Sequence, residues 1–145
     1  MGRFEQRRER NKKLIADINN LIFDCYQVRE NDLQSGMPDD EDHKEAFYTY
    51  FQSRLQAMLL DKGWTWIDFI TILNFIRNKM IDFGKLQEFE ELYNEYKPKD
   101  EVVTSYSYGN WDFLCIFMFG SHLLIDFSET IHKIADGLIK DSENG

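Results

Sequence analysis

His43, His122 and His132 are the side chains best suited to exchange protons or bind a metal near neutral pH, and Cys25 and Cys115 are the thiols. The five are scattered over different segments. A zinc site needs cysteine or histidine pairs a few residues apart, and that spacing does not occur here. The acidic run "PDDEDH", Pro38 to His43, offers carboxylates to a cation. It lacks the glycine and terminal glutamate of a calcium loop, and it suits the positive end of a helix. The sequence has neither a glycine-rich phosphate loop nor a nucleophile elbow. It therefore points to no enzyme, no metal and no cofactor, and what chemistry there is must be that of side chains set out along helices.

The segment "LLDKGWTWIDFITILNFIRNKM", Leu59 to Met80, carries the strongest pattern. Eight of the eleven residues from Trp66 to Ile76 are apolar, interrupted every third position by Asp68, Thr71 and Asn74. This periodicity is a helix with one narrow polar edge. A bilayer span takes roughly 20 apolar residues, and Arg77, Asn78 and Lys79 end the run short of that, so a central core helix is expected. Thr65 is placed to cap it.

Around it, Leu14, Ile15, Ile18, Leu21, Ile22 and Tyr26 define a first helix from about Glu9 to Val28. The stretch "RENDLQSGMPDDED" reads as a loop. Asp39 or Asp40 caps a second helix with an apolar stripe of Phe47, Phe51, Leu55, Met58 and Leu59, ended by Lys62 and Gly63. Leu86, Phe89, Leu92, Tyr93 and Tyr96 mark another, closed by Pro98. Glu101 to Thr104 is the one part of the next loop with strand or helical-turn character. Asn110 caps a short helix starting at Trp111, and a final helix carries Leu124, Phe127, Ile131, Ile134 and Leu138. The expected class is all-α, a bundle with short connections.

The chain has 145 residues, 43% hydrophobic, and a net charge of −9. That length suits one domain, 1–145, with loose ends near 1–8 and 141–145. The acidity argues against a nucleic-acid partner. The basic cluster "GRFEQRRERNKK", interrupted by Glu5 and Glu9, reads first as a solvated turn of helix rather than a membrane or nucleic-acid arm. No secretory leader opens the chain, and the amphipathic stretch from Leu123 to Ile139 is no tail anchor. No integral membrane span is expected. The two cysteines read as buried small hydrophobes of a reducing compartment.

Three segments, in order, resemble motifs of the Bcl-2 family of apoptosis regulators. "NKKLIADI", Asn11 to Ile18, is similar to the family's first-helix motif. "DKGWTWIDFITILNF", Asp61 to Phe75, resembles the first homology motif, with Gly63 closing one helix and Trp66 opening the next. "YGNWDFLCIF", Tyr108 to Phe117, resembles the second, through Gly109 and Trp111.

The resemblance implies a Bcl-2-like helical bundle with a central hydrophobic helix, here with shortened second and third helices. It also implies an apolar groove that takes the BH3 helix of a pro-apoptotic protein. Carried over by position, Phe51, Leu55, Met58, Leu59, Thr71 and Phe75 would line the groove, and Thr65 and Asp68 its polar rim. Periodicity alone assigns the apolar members to the core.

Asp68 stands where the family has an arginine that pairs with an aspartate of the BH3 helix, which implies a substitute such as Arg54 or Arg77, or a narrow partner range. Without a BH3 stretch of its own, the chain resembles compact viral anti-apoptotic homologues, including those of iridoviruses. The implied setting is the host cytoplasm, with partners taking it to the mitochondrial outer membrane. An exposed groove would also favour a homodimer. The alternative is a Bcl-2-fold viral inhibitor of immune-signalling adaptors with a closed groove.

Overall fold

A computed structural model describes residues 2–98, 108 and 111–144, with side chains of 139 and 141–144 outside the description. The described residues form six helices and no strand: α1 (Arg3–Gln34), α2 (Glu41–Asp61), α3 (Trp66–Asp82), α4 (Leu86–Tyr96), α5 (Phe113–Asp126) and α6 (Ser128–Asn144). The all-α expectation holds. The expectations for Glu101–Thr104, Gly109 and Asn110 lie outside the described residues.

Local chemistry sets most boundaries. The Asp40 side chain accepts from the His43 N–H at 2.9 Å and starts α2. Gly63, at φ 73°, ends it, with Trp64 N–H donating back to Leu59 O at 2.8 Å. Gly84, at φ 67°, closes α3 in the same way, through Lys85 N–H to Met80 O. Both positions need the left-handed backbone that glycine adopts without strain.

Three expectations are corrected. First, α1 does not stop near Val28 but runs to Gln34. Gln27 donates to Asn31 and Gln34 to Glu30 across single turns, which supports the exposed extension. Only residues 35–40 then separate α1 from α2, so shortened second and third helices of the family type have no counterpart there. Second, the helix expected at Trp111 begins at Phe113, capped by Asp112, whose carboxylate accepts from Cys115 N–H at 2.7 Å. Third, Leu124 and Ile131 do not share one final helix. The chain turns by 84° at Phe127, and Tyr26 donates its hydroxyl to the Ile125 carbonyl freed at the end of α5.

The most enclosed helix is α5, where eight of 14 residues are buried, against five of 17 on α3. Two contacts seat α5. Phe119 packs edge-on to Phe89, Tyr93 and Trp111, with ring centroids 5.4 to 5.9 Å away, and so joins α4 to α5. Gly120 faces Phe69 of α3 so closely that a Cβ there would lie 2.6 Å from the ring's Cζ.

Gly120→Ala tests that approach. Alanine adds about 1 kcal/mol of helix propensity. The Phe69 ring is fully buried and packed on Phe117, so it has little room to retreat. Overpacking of this kind costs about 1–3 kcal/mol, and a net loss of about 1–2 kcal/mol is expected by urea denaturation. A midpoint equal to or above that of the parent would show that the ring moves freely.

Candidate functional site

The turn between α2 and α3 is tied to α1 by two aspartates. Asp17 accepts from Trp64 Nε1–H and from Lys62 Nζ, each at 3.0 Å. Arg10 stacks its guanidinium 5.2 Å from the Trp64 ring centroid and donates to both oxygens of Asp68, at 3.3 and 2.7 Å. Asp68 also completes a capping box: its carboxylate accepts from Thr65 N–H at 2.8 Å, while Thr65 Oγ1 accepts from Asp68 N–H at 3.2 Å. Partial burial works against its charge, but the Thr65 N–H and the Arg10 guanidinium outweigh it, so the carboxyl titrates below the usual carboxylate range.

The Asp68 carboxylate is therefore paired within the chain, with Arg10. Arg54 donates to the hydroxyl of Tyr50 in its own helix.

The proposed groove residues divide. Phe51, Leu55 and Leu59 are buried in the core. They form no open floor, because the α2 stripe faces inward against α1 and α5. Met58, Thr71 and Phe75 are half-buried and Thr65 is exposed. Phe75 borders a cavity of about 410 Å³ between α1, α3 and α6. Thr71 turns its hydroxyl to the Ile67 carbonyl of its own helix.

Trp66 and Trp111 pack in different places. Trp111 joins the Tyr93–Phe119 cluster, whereas Trp66 meets Phe113, with centroids 4.5 Å apart. Phe113 stacks on Phe117, which packs on Phe69.

At this end of the bundle several large apolar side chains face solvent. Ile67 is 72% and Leu114 66% exposed, and Phe113 and Met118 are also exposed. Leu114 and Met118 are four residues apart, on one face of α5. Tyr48 contacts Asp126 and Gln52 contacts Ser121, a register that runs α2 antiparallel to α5 and brings exposed Leu60 to the same end. Composition hides such a set, because its members lie on three helices and each alone looks like core.

A polar network went unrecognised in the sequence. His122 Nε2 meets Asp126 Oδ2 at 2.7 Å, and its Nδ1 meets the Tyr96 hydroxyl at 2.8 Å. Tyr48 donates its hydroxyl to the same Asp126. The network joins α2, α4 and α5, and its one sequence signal is the i, i+4 spacing of His122 and Asp126. The Asp126 hydrogen bond outweighs burial and raises the His122 pKa above the ordinary 6.5. Burial opposes the Asp126 charge, yet His122 and Tyr48 hold its pKa below 3.8. Burial and Asp126 push the Tyr48 hydroxyl well above its ordinary range.

The sign of the pH dependence follows from linkage. Protonated His122 contributes fully below pH 6.5 and loses that contribution as pH rises through its higher folded value. Ionised Asp126 contributes above pH 3.8 and loses it as pH falls through its lower folded value. The stability gap between parent and His122→Asn is thus expected to be widest near about pH 5–6 and to shrink toward about pH 9 in melting scans. A gap that grows with pH would refute this ion pair.

Asp68→Arg would remove the capping box and set two guanidiniums together. A loss of about 1–3 kcal/mol is expected by chemical denaturation, and unchanged stability would show that the Arg10 pair is idle.

Family models, curated proteins and solved structures were each compared with this chain, and none matches.

Proposed function

We propose that the chain is a non-catalytic binding domain that sequesters the BH3 helix of pro-apoptotic Bcl-2 proteins and so inhibits apoptosis. One observation carries this reading. Two segments that resemble the family's homology motifs, 45 positions apart at Trp66 and Trp111, meet in space through Trp66 and Phe113. Around that meeting point Ile67, Leu114 and Met118 stand exposed, an arrangement suited to the aliphatic anchors of an amphipathic helix. The helix would dock at this shared end of α3 and α5, not over Phe51 and Leu55. Because Arg10 neutralises Asp68, an acidic residue on the incoming helix meets a closed ion pair rather than a free cation. This favours a narrow partner range. The same apolar set could be covered by a second copy of the chain, the homodimer that belongs to this proposal. The setting is the host cytoplasm, with partners carrying the protein to mitochondria.

The burial of Phe51, Leu55 and Leu59 favours a second reading, a closed-groove inhibitor of immune-signalling adaptors built on the same fold.

Calorimetric titration against a panel of BH3 peptides separates the two. Binding to one or a few peptides is expected, weakened more than about tenfold by Ile67→Glu or Met118→Glu, since a charge at the centre of an apolar contact costs more than about 1.4 kcal/mol. Those side chains are exposed, so both variants should keep the parent's melting temperature. Failure to bind any peptide would end the first reading and leave the second. Sedimentation at micromolar concentration showing monomer alone would remove the homodimer.

A further inference from the structure

We infer that the N-terminal end of α1, with the adjoining faces of α3 and α6, docks on an anionic phospholipid surface. The charge of the chain is strongly divided. Residues 1–13 carry six Lys and Arg against two Glu, whereas the remainder carries eleven against 24 Asp and Glu. The basic part is structured, because α1 is helical from Arg3.

A cavity of about 410 Å³ opens beside it, lined by Phe4, Arg7 and Arg8 of α1, Phe75 and Lys79 of α3, and Leu138 of α6. Its floor is apolar and its rim cationic. Among the described residues neither Arg7 nor Arg8 is paired with a carboxylate, in contrast to Arg10, which Asp68 engages. Lys79 Nζ sits 5.7 Å from the Phe75 ring centroid, at the junction of rim and floor.

The occupant must satisfy both Phe4 and the cations. Phe4 is 86% exposed in the first turn of α1. An acidic peptide helix lying in the cavity would touch one side of Phe4 along with Phe75 and Leu138 but leave most of that 86%-exposed ring in water. A bilayer interface meets all of them: phosphate and carboxylate headgroups pair with Arg7, Arg8 and Lys79, while the Phe4 ring enters the headgroup–acyl boundary. Each cation at such a surface strengthens partitioning by about fivefold. The acidic remainder opposes this weakly, because charges beyond about 8 Å are screened at physiological salt. The contact is peripheral, since no single helix among the described residues is long and apolar enough to cross a membrane.

The test is flotation of the full chain with vesicles of phosphatidylcholine alone and of phosphatidylcholine with roughly a third phosphatidylserine. Binding to the anionic vesicles at least about tenfold above the neutral ones, and its loss in about 0.5 M NaCl, are expected. Arg7→Glu with Arg8→Glu should abolish it, and Phe4→Ser should weaken it severalfold. Both variants should keep the parent's circular dichroism and melting temperature. Equal partitioning to the two vesicles, or anionic binding that survives the double charge reversal, would overturn the inference. So would an acidic helical peptide that shifts the Phe75 resonances while the chain ignores vesicles. BH3-peptide binding is read separately and does not enter any of these outcomes.

Discussion

Phe69 rests on the backbone of α5 at Gly120, a position where any larger residue would put a Cβ inside the ring's van der Waals envelope. Much of the bundle follows from this contact. With α3 and α5 this close, Phe69 and Phe117 pack ring to ring, Phe113 stacks on Phe117, and Trp66 reaches Phe113. The first turns of two helices far apart in sequence thereby share one end of the molecule. On the other side of α5, Phe119 draws in the aromatic residues of α4. The helix is thus enclosed by aromatic packing on two sides, which is why it, rather than α3, is the most buried element.

Carboxylates supply the second constraint, by fixing how helices meet at their ends. Asp17 holds the turn before α3 against α1, Asp68 caps α3 and takes Arg10, and Asp126 gathers Tyr48 and His122 where α5 ends. Each is partly buried and each is satisfied by more than one donor, the condition under which a desolvated charge is tolerated. Acidity and structure are therefore linked in this chain. Some of its negative charge is committed to helix ends, as the Asp68 carboxylate is to Thr65 and Arg10.

What the sequence disclosed was mostly local. Asp40, Gly63 and Thr65 mark helix ends through hydrogen bonds or backbone angles that involve only a few neighbouring residues, and each acts in the structure as its type suggests. The extension of α1 past Val28 was hidden, because Asn31, Asp32 and Ser35 look like loop residues when the turn-to-turn hydrogen bonds of Gln27 and Gln34 are not seen. The break at Phe127 was hidden for the opposite reason: Leu124, Ile131 and Ile134 keep helical spacing across it, and only the tertiary path of α6 along α1 requires the bend. The candidate site was the least legible part. Periodicity shows that Phe51, Leu55 and Phe75 are apolar on one side of a helix, but not whether that side meets another helix or water. In the structure the first two meet the core and the third borders a cavity.

The two surfaces proposed for binding are joined by α3. Its first turn carries Trp66, Ile67 and Asp68, and its last carries Lys79 beside the basic end of α1. From Asp68 to Lys79 the helix rises about 16 Å. The Trp66–Ile67 turn and Lys79 thus stand at opposite ends of α3. The same geometry explains why two surfaces of different character can coexist on a small bundle. Arg10 is the basic residue that reaches toward both, and its pairing with Asp68 removes it from either contact.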